Sequence, residues 1–225
     1  DYMKDYIANT RKILKNKISV VLNWQDEDLF PPYQNVNENS NKFTFMFLGN
    51  IGPVAGIDLL IDAFVMANIH NARLIIAGSG SMKVGLVKKT ALINGFDIQF
   101  WDVPEGKVPE IQNRANVMLL PIKKGAASSS IPSKLPAYMF SEKPVICCAD
   151  NDSDTAKCIA EANCGYVVEP DNSNELAKVM VEIAQQEGKV LKDMGKNGRK
   201  YSLEKFSKKV NLKKLTTLIT NLLDT

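Results

Sequence analysis

The chain carries a single histidine, His70, in 225 residues. One imidazole rules out a histidine-rich metal site and argues against a serine–histidine catalytic pair. Its four cysteines, Cys147, Cys148, Cys158 and Cys164, include no CxxC pair. Two of them are neighbours in an apolar run. That spacing gives neither a disulfide framework nor a metal cage, so a reduced, cytoplasmic setting is expected. No apolar run approaches the roughly 18 residues that a membrane-spanning helix needs. The first residues, DYMKDYIANT, have no signal-peptide pattern and do not begin with Met, as those of a fragment would. Charge of one sign is scarce as well: a net +3 is too small to argue for nucleic acid. There is no internal repeat and no low-complexity run. No pair of carboxylates stands out for general acid–base work.

What is present is ordinary globular material, 45% apolar and 24% charged, enough for a sizeable core. Met3, Ile7, Ile13 and Leu14 lie at near-helical spacing. ISVVL at 18–22 reads as a short β-branched strand, and NVNENSNK at 35–42 as a polar linker. From Phe43 the pattern becomes strand–helix alternation. Apolar strands are expected at 43–48, 73–77, 97–101, 117–120, 144–148 and 165–168, with helices between them. Continuous apolar strands separated by amphipathic helices require a sheet covered on both faces. The predicted fold is therefore α/β: a doubly wound, Rossmann-like parallel sheet of about six strands. The expected division is an N-terminal helix, strand and linker at 1–42, the Rossmann-like domain at 43–188, and C-terminal helices at 189–225. The lysine- and arginine-rich tail reads either as a solvated helix face or as a peripheral contact with an anionic membrane.

The most informative stretch is 117–148, VMLLPIKKGAASSSIPSKLPAYMFSEKPVICC. It reads as a buried strand, a small-residue loop, a helix opening near Pro132, and a second buried strand. A loop feeding a helix at the carboxyl end of a parallel strand is where such sheets hold anions. The first helical N–H groups lack partners there, and the helix dipole is positive. Ser130 or Ser133 can cap this helix, and Pro132 and Pro136 suit its start. Lys134 in the first turn opposes the dipole, so it either points to water or meets a ligand phosphate. After the first core strand, Gly49, Gly52 and Gly56 form either a tight structural turn or a backbone that approaches a ligand. The spacing is not the GxGxxG of dinucleotide folds. The next strand closes in Gly78 without an acidic residue, and both features disfavour an NAD-linked oxidoreductase. Gly78-Ser79-Gly80-Ser81 is either a glycine turn with Ser81 as helix cap or part of a cleft lining. Backbone near Val103 has the placement to meet a nucleobase edge. Asp171 or Ser173 is expected to cap the helix after the last strand.

Taken in order, VLNWQD, FLGNIG, GIDLLIDAF, LIIAGSG, VPEGKVPEIQNRANVMLLP, IPSKL, KPVICCAD and CGYVVEPDNSNELA resemble one family. The resemblance is to the C-terminal, donor-binding half of retaining glycosyltransferases of the GT-B fold, from about Asn9 to the end of the chain. Within these, the sequence looks most like bacterial enzymes of the L-fucosamine-transferase type, which build O-antigen and capsule. The resemblance implies half of a GT-B fold whose acceptor-binding N-terminal domain lies outside this sequence. It implies a nucleoside diphosphate sugar as donor, UDP in the first instance, a glycan or lipid-linked sugar as acceptor, and no metal or other cofactor. It makes Lys134 the group that neutralises the leaving diphosphate. Together with the motifs above it places Gly49, Asn50, Gly52, Gly78, Val103, Ser130, Ser133, Lys134 and Leu135 in donor binding. Asn50 stands where the family has Arg and Ala55 where it has Lys, although the fucosamine-type subgroup shares both and carries the PSKL matched at Pro132 to Leu135. Ala137 falls where a ribose-holding Glu is usual, Ser129 near the other Glu of that motif, and Glu142 replaces a Gly. A nucleotide-binding module without transferase activity is the alternative reading.

Overall fold

The computed structural model describes residues 2–32, 42–124 and 130–223. Ser129 lies outside them. After helix α1 (Tyr2–Arg11), the chain alternates β1 (Phe43–Leu48), α2 (Ile57–Ala67), β2 (Ala72–Ala77), α3 (Lys83–Thr90), β3 (Ile98–Trp101), α4 (Val108–Gln112), β4 (Val117–Pro121), α5 (Lys134–Phe140), β5 (Val145–Cys148), α6 (Asp154–Ala162), β6 (Gly165–Val168) and α7 (Ser173–Ala184). The chain then runs through α8 (Gly188–Lys205) and α9 (Lys208–Leu223). The six strands form one parallel sheet in the order β3-β2-β1-β4-β5-β6. This is the predicted Rossmann-like architecture.

Both faces of the sheet are apolar because successive strand side chains point to opposite sides. Phe45, Phe47, Leu74, Ile76 and Leu119 face one way and bury against α2, α3 and α7. Met46, Leu48, Ile75, Met118 and Cys147 face the other way, toward α4, α5 and α6. The helix sides follow from topology. The chain builds β1, β2 and β3 outward, then crosses back to lay β4 on the far side of β1. Right-handed crossovers running in opposite directions place their helices on opposite faces. The reversal point, between β1 and β4 at their carboxyl ends, is where ligands bind in sheets of this kind. Here the two strands part early. β1 pairs with β2 along six positions, but with β4 only at Phe45–Val117 and Met46–Met118.

Several local expectations change. The segment 18–22 is not a strand. Val20, Val21 and Leu22 are half-buried and line a small cavity with Pro136 and Phe206, without a ladder partner. The first bridge in that region joins Gln25 to Ser207. Met82 rather than Ser81 precedes α3, and Asn172 rather than Asp171 or Ser173 caps α7, its side chain accepting from the Glu175 N–H. Helix α5 starts at Lys134, two residues beyond Pro132. Ser133 occupies the cap position, but its hydroxyl makes no capping bond.

The terminal segments are fastened to the domain by polar contacts. Arg199 of α8 is not a solvated tail residue. It donates to the carbonyls of Phe30 and Phe140 and lies 3.5 Å from Glu142. Glu142 holds a left-handed φ of 55°, a conformation that favours glycine. Phe30 stacks on Phe140 with ring centroids 5.7 Å apart. Glu27 accepts from the Ser207 hydroxyl (2.7 Å) and the Lys208 N–H (2.8 Å), closing the N-terminus of α9. All four cysteines are buried thiols, and burial pushes Cys148 and Cys164 up to about 12, out of the nucleophilic range. No described helix is long and apolar enough to cross a membrane.

Candidate functional site

A cleft of about 560 Å³ opens at the reversal point. The connection after β1 contributes Gly49 and Asn50, and the turn into α4 with α4 itself contributes Gly106, Val108, Pro109 and Gln112. Helix α5 adds Ser133, Lys134, Ala137 and Tyr138, and the N-terminal segment adds Gln25, Leu29 and Phe30.

Lys134 is the cleft's cation, and the described lining includes no carboxylate. Its ammonium stands 5.7 Å from the centre of the Phe47 ring, and among the described residues no acid or hydrogen-bond acceptor reaches it. Burial holds its pKa below the usual lysine value. The side chain crosses directly over Gly49: a Cβ there would sit 2.2 Å from the lysine Cε. Gly49 thus lets the lysine lie along the end of β1.

The backbone around the lysine supplies fewer donors than the helix-start argument expects. Leu135 already gives its N–H to the Pro132 carbonyl (3.0 Å), and Pro136 has none. Gly49 and Ile51 donate to Ala77 (3.0 Å) and Ser79 (2.8 Å). Among the described residues, the Asn50 and Gly52 N–H groups have no backbone partner. Among the described residues the Ser133 and Lys134 N–H groups have no backbone partner, so the start of α5 adds these two donors to the charge of Lys134. Gln25 of the N-terminal segment donates to the Ser133 carbonyl (3.1 Å) and ties that segment to the cleft wall.

Four of the nine residues read from sequence meet in this cleft: Gly49, Asn50, Ser133 and Lys134. Gly52 lies beside the Asn50 side chain, whose amide occupies the space between Gly52 and Gly80. Gly78 does not line the cleft. It has φ +133°, and a Cβ there would stand 2.0 Å from the Gly49 carbonyl, so glycine is needed for two backbones to touch. Val103 packs against the core, and Gly106, Val108 and Pro109 of the same connection face the cleft instead. Ser130 lines the smaller neighbouring cavity. The Leu135 side chain is fully buried, which leaves it no contact with a ligand in the cleft.

Sequence reasoning missed Gln25, Gln112, Tyr138 and Lys83. Lys83 donates to the carbonyls of Gly78 (2.9 Å) and Trp101 (3.2 Å) and to Asp102 (2.7 Å), bracing the ends of β2 and β3 beside the cleft. Gln112 is buried at the cleft wall, its Oε1 taking the Ser141 hydroxyl (2.5 Å). Its one signal was an amide four residues after Val108, on the core-facing side of a helix. Among the described residues, no three His, Cys, Asp or Glu side chains gather as a metal site requires.

Open α/β sheets of this kind bind their ligands in the crevice at the reversal point, and here that crevice holds Lys134. The family described as glycosyl transferases group 1 matches residues 33–201, and the chain belongs to it. The probable glycosyltransferase WbjE of Pseudomonas aeruginosa is 24% identical over 234 residues, covering 98% of this chain and 55% of that protein. The fold matches sucrose-phosphate synthase from Thermosynechococcus elongatus with a TM-score of 0.79, at 19% identity, over 99% of this chain and 57% of the other. It matches Anabaena HepE, solved with UDP and glucose, at 0.72 and 16% identity over 91% and 57%. The chain thus spans about half the length of these relatives.

Proposed function

We propose that this chain is the nucleotide-sugar-binding half of a retaining glycosyltransferase of the fucosamine-transferase type. It takes a sugar from a nucleoside diphosphate, UDP in the first instance, to a glycan or lipid-linked acceptor in surface polysaccharide synthesis. The observation that carries this reading is the Lys134 ammonium, without an anionic partner among the described residues, beside Gly49 and Asn50 at the reversal point. HepE, with UDP and glucose bound, supports the choice of nucleotide.

The chemical need in such a transfer is to stabilise the departing diphosphate. A preorganised cation in a partly dry cleft does this without reorganisation cost. Lys134 faces the developing charge, and among the described residues the N–H groups of Asn50, Gly52, Ser133 and Lys134 have no backbone partner. The acceptor, and any catalytic base, belong to the N-terminal domain that would close over the cleft. The second reading, nucleotide binding without transfer, draws on Ala137, which faces the cleft where relatives of this kind hold ribose with a carboxylate.

Thermal shift with UDP, a UDP-sugar and NAD tests the proposal. A nucleotide at tenfold its Kd adds about 1.4 kcal/mol and raises Tm by roughly 3–6 °C for a chain of this size. UDP and its sugar conjugate should do so and NAD should not. No shift with millimolar UDP would sink the proposal. Sugar transfer by the full-length protein separates the enzyme from the binding module.

A further inference from the structure

The end of β1 is completed by a side chain rather than by a strand. Even-numbered residues of β1 turn their backbone toward β4: Thr44 receives a bond from the Asn116 N–H (2.9 Å) and gives one to its side chain (2.7 Å), and Met46 pairs with Met118. Leu48 faces the same way, but β4 has already diverged. Tyr138 takes the strand's place. Its hydroxyl accepts from the Leu48 N–H (3.1 Å) and donates to the Leu48 carbonyl (2.9 Å). One phenol oxygen thus satisfies both buried groups that the parting strands leave open, groups that are costly to bury unpaired.

Leu48 leads directly into Gly49, over which Lys134 lies. Lys134 and Tyr138 are four residues apart on α5, on one face of the helix. The same turn of α5 therefore grips the end of β1 and lays its cation across the next residue. The reach of the phenol sets the spacing between the strand and the helix. We infer that Tyr138 is a positioning residue for the diphosphate end of the site: by holding Leu48 it sets where Gly49 and Asn50 stand relative to Lys134. This rests on the reading of the cleft as a nucleoside diphosphate site.

The test compares UDP and uridine affinities, by calorimetry and NMR titration, in wild type and Tyr138→Phe. Phe keeps the ring packing and removes only the bridge. UDP affinity should fall roughly tenfold while uridine affinity stays within twofold. Ile183→Val and Ile183→Ala, in α7 on the opposite face, bracket the accompanying loss of Tm and should leave both affinities unchanged. Equal losses for UDP and uridine, or a UDP loss no larger than in an Ile183 variant of the same Tm, overturn the inference. Absence of UDP binding by wild type overturns the donor-site reading itself, a separate result. A readout without any variant is amide exchange in the wild-type protein. The Leu48 amide should exchange as slowly as that of Phe47, and fast exchange at Leu48 refutes the bridge.

Discussion

Replacing Lys134 with Met removes the charge and keeps most of the reach, and the structure predicts opposite effects on stability and on binding. In the free protein the ammonium is half-buried over Phe47, and burial lowers its pKa. With the folded pKa below the unfolded one, the unfolded chain binds more protons between the two values. Stability therefore rises with pH through that window, and below it the charged lysine is a net cost to the fold. Lys134→Met should melt no lower than wild type at pH 7. With UDP present the sign reverses. A unit charge pair at about 4 Å and an effective dielectric near 20 is worth about 4 kcal/mol. Desolvation of both groups removes about half, leaving the roughly 1.5–3 kcal/mol typical of a charge-assisted bond. That is roughly a 10- to 150-fold rise in Kd. Calorimetric titration with UDP at low salt measures it. Wild-type affinity should also fall as pH approaches the depressed lysine pKa from below, a trend the variant should lack. An unchanged UDP Kd in Lys134→Met refutes the assignment. A weaker Kd accompanied by a lower Tm would make the lysine structural instead.

Ala137→Glu returns a carboxylate to the cleft and should increase discrimination between UDP and 2′-deoxy-UDP about fivefold by competition titration. Equal binding of the two nucleotides by the variant would place ribose elsewhere. Gly78→Ala forces a Cβ toward the Gly49 carbonyl at a φ that side chains rarely adopt, and should cost about 3 kcal/mol by urea unfolding. A cost below about 1 kcal/mol would show that the two loops separate easily. Burial pushes the Glu27 pKa up, but the Ser207 hydroxyl and backbone N–H groups outweigh it and hold the carboxyl below its usual value. Its contribution is present above the unfolded glutamate pKa of about 4.3 and is lost as pH falls through the lower folded value. Glu27→Gln should therefore flatten the acid limb of the stability curve, and an unchanged slope between pH 5 and 3 counts against that contact.

The element pattern was legible because a parallel sheet covered on both faces demands apolar strands and half-apolar helices. The misread strand at 18–22 shows the limit. A β-branched run favours burial, and only the neighbours decide whether it joins a ladder or half-buries itself in a cavity wall. The site divided in the same way. Gly49, Asn50, Ser133 and Lys134 lie in the connections that follow β1 and β4, where their local motifs and the family resemblance place them. Gly78 and Leu135 carried the same local signals but serve backbone contact and core packing.

By itself, the sequence determined the doubly wound sheet, its six strands and a lysine in the helix after the fourth of them, because each follows from local periodicity and chain order, whereas the strand order, and with it the reversal point between β1 and β4, came from the structure. Tertiary structure decided how that lysine is held. The absent Cβ of Gly49, the phenol of Tyr138 and the amide of Gln25 act from positions distant in the chain, and a contact between distant residues leaves no period or motif to read.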